Sequence, residues 1–448
     1  MRARLPRLSL LGCLLFSASA CSWSRFDDVT KNAPVVLLEK PDSMNGGFGV
    51  SLSTVTNDGQ TELLVGGTVS VSGAALYDLG QEDAPGTKAT DTGYCTGDSG
   101  PCSLSSLTAG FANASGPDRA RPLCFAVGSG ALTNKQGLVV RCQDFTEYTL
   151  GMPQAAQDLL AASIAQNKPR DFPMATDRTD DPVLVASLPE KHLAWFYPVK
   201  STAFSELLVP SGVDVADPSF GRALAVLAVA GGRVLALGVP GKSEVLLWKT
   251  DGSANSSYIG CLAGAPGLGR ALASGNVAGD VSDDLVVSDD THVQVIDGSV
   301  LFGLPQTDSG ECGLSAKIPQ AVFDGFDCGS SKNVAECEKS EFGATLAVGD
   351  LDGDGAGEVI VGAPKMPVNG KENAGALLVY ELNPSGAALV DTRVMSSAEA
   401  GDELGRSIVT PHVGKRDIIA AGAPGHGKAA LFYCSALLPS GAAGSRCP

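Results

Sequence analysis

Short apolar runs separated by polar, glycine-rich segments recur along most of the chain. Each run has four to six residues, which is the length of a β-strand and too short for a typical helix. The clearest stretch is FGATLAVGDLDGDGAGEVIVGAP, at Phe342–Pro364, followed by AGALLVYEL up to Leu382. It predicts a strand, an acidic loop, a second strand, a tight turn at Gly-Ala-Pro and a third strand.

The same pattern returns at intervals of roughly fifty residues. An aromatic residue or Leu followed by Gly opens four further copies, at Phe48, Phe220, Leu268 and Leu404. Two weaker copies, starting at Cys124 and Asp181, fill the 172 residues that separate Phe48 from Phe220. The chain is therefore predicted to repeat one small β unit seven times.

These residues resemble the FG-GAP repeat of integrin α subunits. The resemblance implies an all-β, seven-bladed β-propeller over residues 34–438, followed by a C-terminal tail, 439–448. Radial packing of blades buries both faces of each small sheet and leaves only short edges. In the family, a strand that precedes the first repeat completes the last blade, and Pro34–Glu39 (PVVLLE) is the candidate for this closing strand. An open β-solenoid or a pair of β-sandwiches is the alternative.

The loop of the Phe342 copy carries acidic residues at positions one, three, five and nine: Asp350, Asp352, Asp354 and Glu358. Ca²⁺ takes six to eight oxygen ligands, and the carbonyl of Ala356 at position seven would add one. The loop is similar to the calcium loops of integrin propellers. An EF-hand would need Glu at position twelve, where Val361 stands, and helices on both sides. An acidic turn without an ion is the remaining alternative.

Two other copies keep part of this acidic pattern. The aligned residues are Asn276, Ala278, Asp280 and Asp284 in the Leu268 copy, and Thr54, Thr56, Asp58 and Glu62 in the Phe48 copy. The copies at Phe220 and Leu404 have no such set, because Gly231-Gly232 and Lys415-Arg416 occupy the region. The pattern predicts one to three calcium ions with a structural role.

Residues 1–20 have the order of an export signal: arginines, an apolar stretch, then Ala18-Ser19-Ala20 in front of Cys21. This order resembles the lipobox of bacterial lipoproteins. The resemblance implies a lipid on Cys21, a tether over residues 21–33, and an outer-membrane location facing the periplasm or the cell surface. An ordinary cleaved signal is the alternative.

The chain is strongly acidic. Its net charge of −17 becomes −20 once the three arginines of the signal are removed. Such a surface repels nucleic acid and anionic lipid, so we expect no nucleic-acid partner and membrane contact through the lipid alone.

Ten cysteines remain after the signal cysteine Cys13 and the lipid candidate Cys21 are set aside. An even number without any C-x-x-C favours disulfides in an oxidising compartment over a zinc site. Neighbours in the sequence suggest four pairs and leave a fifth, with other pairings open: Cys95 with Cys102, Cys124 with Cys142, Cys328 with Cys337, Cys434 with Cys447, and Cys261 with Cys312.

The sequence favours a binding module over an enzyme. The four histidines are scattered, and the protease-like segment 97–101 (GDSGP) has no histidine upstream to act as its base. In the family, loops on the face away from the calcium ions bind ligand, which makes the long insertions Leu79–Gly110 and Gly303–Glu341 candidates for contact with a protein or a glycan. Insertions without a partner, and a hydrolase or lyase built from blade loops, are the alternatives.

Overall fold

The computed structural model describes much of the chain between residues 35 and 433. The gaps within this span are residues 43, 45–46, 58–59, 68–73, 80–87, 90–106, 113–122, 128–137, 143–146, 166–171, 178, 180–181, 199–200, 202, 290, 308–311, 313, 315–319, 325–338 and 384–385. The predicted signal, the Cys21 lipid site, the tether and the C-terminal tail lie outside the described residues. Among the residues described, no helix is both long enough and apolar enough to cross a bilayer.

The described chain is almost entirely β, as predicted, and its strands form small antiparallel sheets. The strand β1 is Val35–Leu37. Sheet 1 contains β2 (Ser51–Asn57), β3 (Gln60–Gly66) and β4 (Ala74–Asp78), and sheet 2 contains β5 (Leu107–Ala112), β6 (Leu123–Val127), β7 (Leu138–Cys142) and β8 (Glu147–Leu150). Sheet 3 contains β9 (Met174–Thr176), β10 (Leu184–Leu188), β11 (Leu193–Tyr197) and β12 (Ser205–Glu206).

The second half of the chain continues in the same way. Sheet 4 contains β13 (Leu224–Val229), β14 (Gly232–Val239), β15 (Glu244–Thr250) and β16 (Ser257–Ala263), and sheet 5 contains β17 (Ala271–Gly275), β18 (Asp284–Ser288), β19 (His292–Ile296) and β20 (Gln320–Asp324). Sheet 6 contains β21 (Thr345–Gly349), β22 (Glu358–Ala363), β23 (Ala376–Asn383) and β24 (Gly386–Arg393). Sheet 7 combines β25 (Ser407–Val409), β28 (Ile419–Ala423) and β29 (Lys428–Phe432) with β1, and a hairpin of β26 (His412–Val413) and β27 (Arg416–Asp417) projects from it.

The sheets follow one another around a common axis. The first strand of each sheet contacts the first strand of the next, from β2 through β5, β9, β13, β17 and β21 to β25, and β25 contacts β2. These inner strands line a central cavity of about 390 Å³, with Leu52, Leu224 and Leu346 among its wall residues. This arrangement is a β-propeller.

The number of complete blades differs from the prediction. Six sheets have four strands, whereas sheet 1 has three described strands, so the structure has six four-stranded blades and not seven. The repeat count rests on the openings and the spacing of the copies and does not locate a fourth strand in each copy. After β4, however, the first copy runs into the polar Leu79–Gly110 insertion, which offers no apolar run of strand length before β5 begins at Leu107.

The N-terminal strand is the outer edge of sheet 7. β1 pairs antiparallel with β29, so that Val35 lies opposite Phe432 and Leu37 opposite Ala430. One further backbone hydrogen bond, of 3.0 Å from Leu38 N–H to the Ala429 carbonyl oxygen, continues the pairing. The segment predicted to pair with the last strand of the chain therefore does so.

The glycines of the repeat explain how consecutive sheets come so close. Gly405, which follows the opening Leu404, has φ +92°, and a Cβ on it would lie 3.2 Å from the Cα of Gly362 in the Gly-Ala-Pro turn of sheet 6. Gly49 repeats this arrangement with φ +87° against Gly422 of sheet 7. Since each opening glycine packs on the turn of the preceding sheet, side chains at these positions would force the sheets apart.

Apolar side chains fill the layers between neighbouring sheets. Between sheets 4 and 5, for example, Leu227 and Val234 pack against Leu285 and Ile296, all fully buried or nearly so. Both faces of most strands are covered, so the strands are continuously apolar rather than alternating. Val, Leu and Ala therefore suffice for the core of a chain with few aromatic residues.

In the part of the chain that the structure describes, two α-helices interrupt the β pattern, and neither was predicted. Helix α1 (Gln154–Ala165) connects sheets 2 and 3 and buries Ala156 and Leu160, one turn apart, against the core that contains Trp195. Helix α2 (Gly298–Gly303) follows β19, with the Asp297 carboxylate accepting hydrogen bonds from the N–H groups of Ser299 and Val300. Tertiary packing of one short apolar stripe is enough to stabilise a helix that periodicity alone did not reveal.

Of the predicted disulfides, the described residues contain one. Cys261 on β16 is bonded to Cys312 in the Gly303–Glu341 insertion, as predicted. Cys124 and Cys142 lie directly opposite each other on β6 and β7, so their backbone positions agree with the predicted pair. The remaining candidates lie outside the described residues: Cys95, Cys102, Cys328, Cys337, Cys434 and Cys447.

Candidate metal centre

The acidic loop connects the two inner strands of sheet 6. Gly349 at the end of β21 lies opposite Glu358 at the start of β22, so residues 350–357 form the connection. Gly353 and Gly355 have φ values of +79° and +94°, which allow the sharp turn at little steric cost. Strands flank the loop on both sides, unlike an EF-hand.

The loop is shaped around the side chain of Asp350. Its Oδ1 accepts hydrogen bonds from the N–H groups of Gly353 (2.7 Å) and Asp354 (3.1 Å), and its Oδ2 accepts one from Gly355 (3.0 Å). Asp352 Oδ1 in turn accepts from Asp354 N–H at 3.0 Å. Each carboxylate is thus held by the backbone of its own loop.

Three of the predicted ligands converge. One carboxylate oxygen each from Asp350, Asp352 and Glu358 lies within 4.8 Å of the others. Because Ca²⁺–oxygen distances are about 2.4 Å, two ligands on opposite sides of one ion are about 4.8 Å apart, and this set fits a single calcium shell. Asp354 is not among these three residues, and its Oδ1 accepts the N–H of Ala356 at 2.9 Å.

Glu358 occupies the buried end of the cluster. It is only 6% exposed, and its Oε2 accepts the N–H of Leu351 at 2.8 Å. Burial, reinforced by the charges of Asp352 and Asp350, raises the pKa of Glu358 to about 8, although the Leu351 hydrogen bond opposes the shift. A divalent cation beside these carboxylates would favour their ionised forms.

Both neighbouring sheets hold the loop in place. The Asn276 carbonyl of sheet 5 accepts the N–H of Gly357 at 2.6 Å, and Asn276 Nδ2 donates to the Gly355 carbonyl at 3.2 Å. On the other side, Asp417 of sheet 7 donates its N–H to the Asp350 carbonyl at 2.7 Å and accepts the Asp350 N–H on Oδ2 at 3.1 Å. The loop is consequently a joint among sheets 5, 6 and 7.

The weaker candidate in sheet 5 forms a similar loop with fewer acids. Asn276 Oδ1 accepts the N–H of Asp280 at 2.9 Å, whereas Asp284 is buried and accepts the N–H groups of Val277 and Ala278. Burial raises the pKa of Asp284 to about 6, although these backbone hydrogen bonds lower it. Asp284 thus has the place in sheet 5 that Glu358 has in sheet 6. The rest of this loop has less negative charge than the sheet 6 loop, because Ala278 is uncharged and Asp280 is exposed.

The candidate in sheet 1 is arranged differently. β2 and β3 pair as far as Asn57 opposite Gln60, so Thr54 and Thr56 lie within the ladder. Glu62 faces Val55 and Asp78 on the adjoining strands, and Asp58 lies outside the described residues. Among the described residues of sheet 1, the candidates are not brought together as a ligand set. Burial and the neighbouring Asp78 raise the pKa of Glu62 to about 7.

One site residue escaped the sequence analysis because the third repeat begins earlier than expected. β9 precedes Asp181, and Asp177 stands directly after β9, where Asp350 stands after β21. The alternation in MATDRTDD was a usable signal for this loop. A long-range partner, Arg233 of sheet 4, binds Asp177 and could not be read from local pattern.

Comparison with known families agrees with this geometry. Residues 342–380, which contain the acidic loop and β21 to β23, match the family model of the FG-GAP repeat. No curated protein matches the chain. The chain therefore contains an FG-GAP repeat within a propeller-like arrangement of sheets.

Proposed function

We propose that this protein is an exported lipoprotein whose calcium-stabilised propeller binds a protein or a glycan without catalysis. The observation that carries the proposal is the convergence of Asp350, Asp352 and Glu358 inside an FG-GAP repeat. A lipid on Cys21 would attach the propeller to the outer membrane, facing the periplasm or the cell surface.

Calcium has a structural role in this proposal. The loop 350–358 carries four acidic residues and no basic one, so a bound Ca²⁺ would neutralise charge that otherwise repels itself. Since the same loop is hydrogen-bonded to sheets 5 and 7, its order is coupled to two seams between sheets. Sheet 5 offers a second, weaker position through Asn276, Asp280 and Asp284.

The Gly303–Glu341 insertion supplies a candidate binding surface. β19 ends at Ile296, opposite Leu285, which is the calcium-loop end of sheet 5. Here Thr307 donates its N–H to the Tyr258 carbonyl at 3.0 Å, beside the Cys261–Cys312 disulfide. β20 ends with Asp324 at the opposite face, and residues 325–338, which follow it, lie outside the described residues.

A non-catalytic role is consistent with the placement of the histidines. His292, His412 and His426 each contact an aspartate, at Asp289, Asp417 and Asp402. His292 begins β19 of sheet 5, His426 lies in a turn of sheet 7, and His412 lies in the β26–β27 hairpin near the calcium loops. A single active site would need such groups to converge on one substrate.

The proposal is tested with the purified mature protein on a glycan array and on intact cells of the producing organism, in calcium or in EDTA. We expect retention in calcium that is lost in EDTA and in Asp352→Ala. Asp251→Ala is the matched control, because Asp251 also accepts the N–H two residues later (2.9 Å) but lies in a turn outside the cluster. Retention that ignores calcium, or turnover of glycans or phosphodiesters, contradicts the proposal.

A further inference from the structure

The first loop of sheet 3 has the same position in its sheet as the calcium loop of sheet 6. Asp177 follows β9 directly, as Asp350 follows β21, and Val183 precedes β10 as Gly357 precedes β22. Thr179 then stands at position three, where sheet 6 has Asp352. The acid that opens the second strand is missing, however, because β10 begins with Leu184, the eighth residue from Asp177, where β22 begins with Glu358, the ninth from Asp350.

A side chain of the next sheet reaches into this loop. Arg233, at the start of β14, donates its Nε–H to Asp177 Oδ2 and its NH2 group to Thr179 Oγ1 at 2.9 Å. The Thr179 hydroxyl also donates to Asp177 Oδ2 at 3.0 Å, and the other oxygen of Asp177 accepts the Val183 N–H at 2.9 Å. The guanidinium therefore bridges positions one and three of the loop.

This ion pair is buried. The Asp177 side chain is fully covered, and that of Arg233 is 17% exposed. A buried carboxylate is strongly destabilising unless a partner compensates its charge, and the planar guanidinium suits simultaneous bonding to a carboxylate and a hydroxyl. Arg233 of sheet 4 can reach sheet 3 because only Ala230 and Gly231 connect β13 with β14, so sheet 4 has no long loop at this position.

At sheet 6, the residue that the next sheet contributes to the loop has the opposite charge. There the residue that arrives from the next sheet is Asp417, and it binds the backbone of Asp350 rather than its side chain. The carboxylate of Asp350 is left to cluster with Asp352 and Glu358. Position one thus meets an arginine in sheet 3 and further acids in sheet 6.

We infer that the Arg233 guanidinium takes, in sheet 3, the place that calcium takes in sheet 6, so that sheet 3 is independent of metal. The inference rests on the proposed calcium site of sheet 6. It implies that the calcium requirement of each sheet is set by the residue its neighbour contributes. It further implies that removing Arg233 opens a latent site for a divalent cation at Asp177 and Thr179.

The test counts bound calcium by equilibrium dialysis and follows thermal unfolding of the full mature chain, with and without EDTA. In EDTA, Arg233→Ala should have a lower Tm than the wild type. In calcium, it should bind one additional calcium ion per chain, and its Tm should rise by more than that of the wild type. Asp177→Asn combined with Arg233→Ala should abolish the additional ion. Arg233→Lys keeps the positive charge and should bind no additional ion.

Two results would overturn the inference. The first is an Arg233→Ala protein that folds but binds no additional calcium. The second concerns Asp177→Asn alone, which should leave the number of bound ions unchanged. A loss of one ion in this variant would show that sheet 3 holds metal in the wild type. Asp352→Ala measured alongside reports on sheet 6 separately, so a failure of the proposed calcium site is distinguishable from a failure at sheet 3.

Discussion

Replacing Asp352 by alanine isolates the contribution of the proposed sheet 6 calcium site to stability. The change removes one of three converging carboxylates and the 3.0 Å hydrogen bond to Asp354 N–H. The hydrogen bond alone contributes about 1 kcal/mol or less at this partly exposed position. Asp251→Ala removes an equivalent bond to Ser253 N–H, so the difference between the two variants reports on the cluster.

The expected size of the calcium effect follows from linkage. At a calcium concentration a hundredfold above Kd, binding stabilises the folded protein by about 2.7 kcal/mol. For a chain of 448 residues, an unfolding entropy of about 2 cal/mol/K per residue amounts to about 0.9 kcal/mol per degree. EDTA should therefore lower the Tm of the wild type by about 3 °C.

The variant should respond far less. If losing one carboxylate weakens binding about a hundredfold, the same calcium concentration equals Kd and stabilises by only about 0.4 kcal/mol, or roughly half a degree. Differential scanning calorimetry of wild type, Asp352→Ala and Asp251→Ala, each with calcium and with EDTA, measures this. Equal calcium responses in the wild type and Asp352→Ala would refute the assignment of the loop as the main site.

Three further outcomes are expected. The folded pKa of Glu62, about 7, lies above its ordinary value of 4.5, so its contribution to stability is fully present below pH 4.5 and is lost as the pH rises through 7. In EDTA, the free energy of unfolding of the wild type should fall by up to about 3 kcal/mol more across this pH range than that of Glu62→Gln. Parallel curves of unfolding free energy against pH for the two proteins would contradict this. A mature chain that begins at Pro41 lacks β1 and should aggregate through the exposed edge of β29, as light scattering would detect, whereas a chain that begins at Pro34 should stay monomeric. A palmitate analogue should label the wild type and Cys13→Ser but not Cys21→Ser, and equal labelling of all three would exclude lipid at Cys21.

The architecture and the main site could be predicted from the sequence because the signals for both are local. Strand-length apolar runs recur in every copy and the opening Phe-Gly or Leu-Gly in five of them, and in the structure Gly405 packs on Gly362 and Gly49 on Gly422. The ligands of the sheet 6 loop lie within nine residues, so their spacing alone brings Asp350, Asp352 and Glu358 together. The pairing of the N-terminal strand with the last strand, which places Val35 opposite Phe432, could also be predicted, but only from the resemblance to a family whose propellers are closed by such a strand.

What the sequence could not settle depends on strand pairing and on residues far apart in the chain. Glu62 aligned with Glu358 by position, yet β2 and β3 pair as far as Asn57 opposite Gln60, which leaves Glu62 inside a sheet. Helix α1 was missed because it depends on burying Ala156 and Leu160 against the core that contains Trp195. The bond between Arg233 and Asp177 joins residues 56 positions apart. The packing of sheet 4 against sheet 3 decides that the buried carboxylate of Asp177 meets an arginine, whereas the carboxylate of Asp350 is left to converge with other acids.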